Sequence, residues 1–314
     1  MPSIATTKSL IRSSVIQLLT GLTLGSGNVF YVDSGHTNAK DYADHGKDPT
    51  QPYATIDYAI GRCTATNGDV IFVAPGHTET ISAADGINAD VAGVSIIGCG
   101  IGSDKPTITL GSATTATFGI NAANVTVKGL RFVGDIDSLA TFIDVDEGYA
   151  RIEDCDFVTS NTKEAICFID LATTKDYFWI IGCRFEQPTD PGGTDGGAGT
   201  GAIYCVDSEY IFVENCHFAG NFETAFIHNK TTACKHLWVK NCTGIAALSG
   251  SEPFQLVAGA TGATVGGGFI TPAETGVTDA TLIGTIGDAF FNLGTYFGND
   301  GGGGQAGVLG TAAS

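Results

Sequence analysis

Apolar and polar residues alternate along most of this chain in runs of four to six. Six of those runs end in one recurring phrase: VSIIGCG, VTVKGLRF, RIEDCDF, WIIGCRF, FVENCHF and WVKNCTG. A period of two in segments rich in Val, Ile, Phe and Thr predicts short β-strands. The residue that interrupts each run is Gly98, Gly129, Asp154, Gly182, Asn215 or Asn241, and these types enter the left-handed region or tight turns most readily. Parity changes across it. Val125 and Val127 share one parity while Leu130 and Phe132 share the other, as Ile152 does against Cys155 and Phe157. Both sets can face one core only if the chain turns a corner at that residue.

Counted at the residue after the corner, the phrases sit at Cys99, Leu130, Cys155, Cys183, Cys216 and Cys242, at intervals of 31, 25, 28, 33 and 26 residues. Repeats of this length predict a solenoid, in which one repeat cannot bury its apolar face and stacking creates a continuous core. Parallel strands stacked rung on rung satisfy both the period and the repeat.

The stretch from Tyr31 to Thr80, YVDSGHTNAKDYADHGKDPTQPYATIDYAIGRCTATNGDVIFVAPGHTET, resembles the opening of pectin-lyase-like parallel β-helices. Their first strand is followed by a P-Y-A-T-I-x-x-A-I helix and a G-D-x-I-x-V-x-P-G rung. The corner asparagines resemble that family's asparagine ladder, and the likeness spans roughly Val29 to Val257. It implies an all-β fold: a single-stranded, right-handed parallel β-helix (solenoid) of about seven or eight rungs, with an N-terminal helical cap and a C-terminal attachment segment. The boundaries expected are 1–27 for the N-terminal cap or attachment segment, 28–257 for the β-helix, and 258–314 for a Gly/Thr-rich cap or oligomerisation segment. The fold serves lyases, hydrolases, tailspikes and virion proteins alike, so the resemblance does not assign an activity.

With a net charge of −18 and only 15 basic residues, the chain has no stripe to neutralise phosphates, which argues against nucleic-acid and anionic-membrane partners. Nine cysteines are an odd number, and no C-x-x-C pair occurs. In-register rungs also hold Cβ atoms farther apart than a disulfide wants. All nine are therefore expected as free thiols, which suits a chain folded in a reducing cytoplasm. The N-terminal run containing Ile11, Val15, Leu18, Leu19 and Leu22 superficially resembles a signal peptide. It is broken by Gln17, Thr20 and Gly21 and lacks an A-x-A site, so a cap helix over the first rung is expected instead.

Two columns were candidates for chemistry. Arg131, Asp156, Arg184 and His217 follow the corner on successive rungs, and a base beside a carboxylate is what a polysaccharide lyase needs. The neighbouring column of Lys128, Glu153, Ile181, Glu214 and Lys240 also alternates in sign, and both are read as structural charge ladders. A second column, Asp144, Asp170, Asp207 and His228, offers carboxylates for calcium or for glycoside hydrolysis. It is read as a solvated acidic face, because the family's N-T-D, D-D, G-H-G and R-I-K hydrolase motifs do not occur. The Gly-rich stretch between Gln187 and Gly201 lacks the Lys and helix start of a phosphate loop. No catalytic, cofactor or metal residue is assigned.

The aromatics Phe290, Phe291, Tyr296 and Phe297 near the C-terminus are expected to bind a partner. The function expected is that of a non-enzymatic structural protein of a tailed-bacteriophage virion, a capsid decoration, head spike or fibre. It would form a homotrimer and meet other virion proteins such as the major capsid protein after assembly in the host cytoplasm. The alternatives are a polysaccharide lyase or tailspike depolymerase acting on an acidic glycan, and a secreted carbohydrate-binding or adhesive β-helix, either of which adds a surface glycan to the partners.

Overall fold

The computed structural model describes residues 27–159, 163–171, 174–187, 201–220, 222, 224–229, 231–246, 252–271 and 289–299. All but the last residue of the N-terminal cap expected over 1–27, and residues 188–200 of the Gly-rich stretch, lie outside them. After β1 (Val29–Val32) and the helix α1 (Ile56–Ile60), the chain makes seven complete coils of three strands. These are β2 to β4 (Val70–Val73, Thr78–Ile81, Ile87–Asn88), β5 to β7 (Ser95–Gly98, Thr107–Leu110, Phe118–Ile120), β8 to β10 (Thr126–Lys128, Arg131–Gly134, Ile143–Val145) and β11 to β13 (Arg151–Glu153, Asp156–Thr159, Cys167–Leu171). Then come β14 to β16 (Asp176–Ile181, Arg184–Gln187, Gly201–Cys205), β17 to β19 (Glu209–Glu214, His217–Gly220, Ala225–Asn229) and β20 to β22 (Lys235–Lys240, Thr243–Ala246, Glu252–Gln255). Among the described residues two further coils contribute two strands each, β23 and β24 (Thr261–Val265, Gly268–Thr271) and β25 and β26 (Ala289–Leu293, Tyr296–Asn299).

Every ladder between these strands is parallel. First strands build a ten-stranded sheet 1, second strands a nine-stranded sheet 2, and third strands a seven-stranded sheet 3. The fold is a parallel β-helix, as the alternation and spacing predict. Its coils continue past the expected boundary at Val257, because β23 pairs with β20 and β25 with β23. The C-terminal aromatics thus belong to a coil of the solenoid. Among the described residues, no helix is long and apolar enough to cross a membrane.

The corner residues act as expected at five of six places. Gly129, Asp154, Gly182, Asn215 and Asn241 have φ of 71°, 51°, 65°, 55° and 51°. Each N–H reaches the next rung, as Asp154 N–H does to the Ile181 carbonyl at 2.9 Å and Asn215 N–H to Lys240 at 2.9 Å. Gly98 is the exception, with no left-handed φ. A Cβ there would lie 2.2 Å from the Gly129 carbonyl oxygen, so close approach of the next rung, and not backbone conformation, requires glycine.

Behind each corner the core is laddered. Cys155, Cys183, Cys216 and Cys242 are buried one residue after it, and all nine cysteines are free. Three residues after the corner, Phe132, Phe157, Phe185 and Phe218 stack at 5.1, 5.0 and 5.0 Å with rings 5–7° from parallel. The first coil is closed by α1. Thr55 caps this helix from an extended backbone, its Oγ1 accepting from Tyr58 N–H, while Ile56, Ala59 and Ile60 are buried. Asp41 and Glu79 accept the N–H groups of Ala54, Thr55 and Ile56, satisfying donors that a helix start leaves open.

Candidate functional site

Sheet 1 carries a feature that the recurring phrase conceals. Five residues before each corner lies a second left-handed column: Gly93 (φ 79°), Asn124 (60°), Tyr149 (59°), Tyr177 (67°), Tyr210 (59°) and His236 (55°). It repeats the corner hydrogen bond, with Tyr149 N–H donating to Asp176 at 3.0 Å and Gly93 N–H to Ala123 at 3.0 Å. Each strand of sheet 1 from the third coil to the seventh is therefore bent at both ends. Glycine or asparagine meets this backbone demand without strain, whereas a bulky residue at positive φ costs about 1–3 kcal/mol.

In the middle coils that position is nevertheless aromatic. Tyr149, Tyr177, Tyr210 and His236 stack at 4.8, 4.7 and 4.5 Å, with rings 15°, 4° and 2° from parallel. Each stack contributes about 0.5–1.5 kcal/mol, which offsets only part of the backbone strain. Ring faces are taken up by the neighbouring rings, so the stack presents edges and hydroxyls outward.

Two residues further along, a second outward column reads Arg151, Trp179, Phe212, Trp238, Ala263 and Phe291 in continuous register. Trp179 and Phe212 stack at 5.8 Å. Trp238 and Phe291 are 42% and 63% exposed, and Leu293 beside them is 56% exposed. Across the corner, on sheet 2, Ile245 and Ile270 are in register and 53% and 43% exposed. Of the eight large apolar side chains exposed among the described residues, these five belong to the last three coils.

Of the four aromatics expected to bind a partner, Phe291 is outward and exposed. Phe290 registers with Gly262, Tyr296 with Gly268 and Phe297 with Phe269. Their side chains lie outside the described residues. The register position of Phe297 is that of the core phenylalanines.

The two columns considered for chemistry are positioned in part as expected. Arg131, Asp156, Arg184 and His217 are neighbours in register. They do not pair with one another as a charge ladder would. Asp156 instead meets Lys105 Nζ at 3.0 Å, Arg184 pairs with Glu186 within its own strand, and His217 Nδ1 lies 2.8 Å from Thr243 Oγ1. In the adjacent column Lys128 and Glu153 do bridge rungs, at 3.1 Å.

The acidic column needs correcting. Asp144 and Asp170 are in register, but the next positions are Tyr204 and His228. Asp207 sits beyond β16 in a turn, at φ 51°. The register of β13 on β16 aligns Phe-Ile-Asp-Leu with Ala-Ile-Tyr-Cys, which removes the third stacked carboxylate. Burial raises the Asp144 pKa to about 6, with Asp146, Asp170 and Asp85 adding repulsion. No group of three or more His, Cys, Asp or Glu side chains among the described residues could hold a metal ion.

The chain matches no protein-family model, no curated protein and no solved structure. Sequence alone could have found the aromatic columns, since GYARIE, DYFWII, EYIFVE and KHLWVK precede successive corners at constant offset.

Proposed function

We propose that this protein is a non-enzymatic structural component of a tailed-bacteriophage virion, a capsid decoration, head spike or fibre. In this reading it assembles as a homotrimer and meets other virion proteins such as the major capsid protein. The observation that carries the structural part is the gathering of exposed apolar side chains, Trp238, Ile245, Ile270, Phe291 and Leu293, in the last three coils. Exposed apolar surface of this kind marks a site of association. A solenoid suits such a role because its coils form a stiff rod whose ends differ. The lyase alternative draws less support, since Asp156 and Arg184, its most suitable carboxylate and base, are engaged in ion pairs with Lys105 and Glu186.

Mass spectrometry of purified particles tests the virion assignment: the chain should be present at a fixed stoichiometry to the major capsid protein. Its absence from particles, or release of unsaturated products from an acidic polysaccharide by the purified protein, would reject it.

A further inference from the structure

Among the free thiols one pair is placed unlike the rest. Cys155, Cys183, Cys216 and Cys242 stand one rung apart in a single column, each just before a residue that is in register with the next rung. Rungs about 4.8 Å apart hold such Cβ atoms beyond the roughly 3.8 Å that a disulfide wants. Cys205 and Cys234 escape that spacing because they are out of register. Cys205 ends β16 opposite Asn229 of β19, and Cys234 follows in the turn that leads to β20. This turn brings the two sulfurs to 3.5 Å. Asn229 holds it there, its Nδ2 donating to the Cys205 carbonyl at 2.7 Å and to the Thr232 carbonyl.

We propose that Cys205 and Cys234 form a redox latch, closed to a disulfide by hydrogen peroxide and reopened by a thiol reductant. The Cys234 thiolate attacks one peroxide oxygen, so an S–O bond forms, the O–O bond breaks and hydroxide leaves. Cys205 sulfur then displaces the hydroxyl of the Cys234 sulfenic acid as water, its own proton going to that oxygen. The hydroxide takes up the proton that Cys234 had released. Two thiols are thereby oxidised by two electrons in all, and one peroxide is reduced to two waters.

The pair is asymmetric in the sense this chemistry needs. Cys205 Sγ–H donates to Cys234 Sγ, and that bond draws the Cys234 pKa down while raising the Cys205 pKa. Cys234 is therefore the thiolate that attacks, and Cys205 the thiol that resolves. Access is one-sided as well. Both side chains are buried, but Thr231, Thr232 and Lys235 around Cys234 are exposed, so opening a single turn uncovers it while the strands on either side stay paired. Asn229 Oδ1 is buried without a hydrogen-bond partner among the described residues, which leaves an acceptor at this turn for the O–H of a peroxide. Closure fastens the end of the fifth coil to the entry of the seventh, and the cross-link restricts the unfolded chain between them.

Hydrogen peroxide added to the full chain, freshly reduced and freed of reductant, provides the test. Thiols titrated in denaturant should fall from nine to seven, peptide mapping should find Cys205 joined to Cys234, and dithiothreitol should restore all nine. The oxidised chain should melt several degrees above the reduced one, with an unchanged β-sheet circular dichroism spectrum. Cys205→Ala should keep its remaining thiols under the same treatment and show no rise in melting temperature. Cys155→Ala, which removes a ladder thiol of equal depth, should still lose two thiols and gain the same rise. Oxidation that starts at any other cysteine, a count that stays at nine until the native fold is lost, or a Cys205–Cys234 disulfide that leaves the melting temperature where it was overturns the latch.

Discussion

Tyr177 and Tyr210 stack at 4.7 Å with their rings 4° from parallel, although both backbones are left-handed, with φ of 67° and 59°. The stack and the strain oppose each other at the same residues. In the second and third coils, glycine and asparagine serve the same backbone position at Gly93 and Asn124.

Replacing Tyr210 by glycine should therefore cost little, under about 1 kcal/mol, because lost stacking is offset by relief of strain. Tyr210→Val removes the ring and keeps the strain, and should cost about 1–3 kcal/mol more than the glycine variant. Urea unfolding of the two variants measures the difference. Equal losses would mean that the left-handed backbone imposes no strain there.

The corner asparagines make a parallel case. Asn215 and Asn241 have φ of 55° and 51°, and their N–H groups hold the next rung at 2.9 Å. Valine at either position should destabilise by about 1–3 kcal/mol, whereas Glu214→Gln or Lys240→Gln should change stability by under about 1 kcal/mol. Thermal melts that shift equally for both classes would count against corners as the points of strain.

How far this fold could be read from sequence follows from the same residues. The corners were legible because Asp154, Asn215 and Asn241 combine a turn-forming type with a change of parity. Gly98 carries the same phrase without the left-handed backbone, since one residue type answers two different demands. The coils beyond Val257 were missed because Cys, the most visible letter of the phrase, becomes Gly267 and then Thr295. The spacing from corner to phenylalanine persists there, from Gly266 to Phe269 and from Gly294 to Phe297. The second left-handed column was illegible by type, running from glycine through asparagine to tyrosine and histidine. Only constant offset from the corner reveals it. Asp207 was misaligned because strand register is set by pairing with neighbouring coils and not by the local letters around an aspartate.

Asp144 should make stability fall with rising pH. Its pKa in the fold is about 6, above the ordinary 3.8, chiefly through burial. Between those values the folded chain holds more protons than the unfolded chain, so stability declines as pH rises through the window and the penalty is complete above it. Asp144→Asn should then be more stable than wild type at pH 8 by on the order of 1 kcal/mol, after allowance for solvent screening of a half-buried group. The two should converge as pH falls below about 4. Chemical denaturation at several pH values checks the sign, and a gap that widens in acid would refute it.

The thiols should be numerous and quiet. Burial pushes Cys155, Cys183 and Cys216 well above the ordinary thiol range and lifts Cys63 to about 12, which suppresses the reactive thiolate. Hydrogen bonds with Cys205 and Cys216 shift Cys234 and Cys242 downward, and these two are kept from a reagent by burial alone. Cys205 and Cys234 approach to 3.5 Å between sulfurs yet remain unbonded. A thiol reagent should therefore titrate nine groups after denaturation without reductant and react slowly with the native protein. A denatured count of seven would show that one pair is oxidised, with Cys205 and Cys234 the first to examine.

Ending the chain at Gly276 should separate folding from assembly. The truncation removes β25 and β26, which add their strands to β23 and β24, and in a solenoid each coil draws its stability from its immediate neighbours. The seven three-stranded coils keep all their mutual ladders, so the shortened chain should retain its β-sheet spectrum and melt cooperatively, a few degrees lower at most. Phe291 and Leu293, both more than half exposed, leave with the deleted coil. They contribute little to the fold and much to any surface that joins copies. The shortened chain should accordingly dissociate at concentrations where the full chain stays assembled, and Phe291→Ser with Leu293→Ser in the full chain should do the same without lowering the melting temperature. If truncation instead unfolds the solenoid while the double serine variant assembles normally, the last coil is a cap that protects the ladder below it, and its exposed side chains have no part in association.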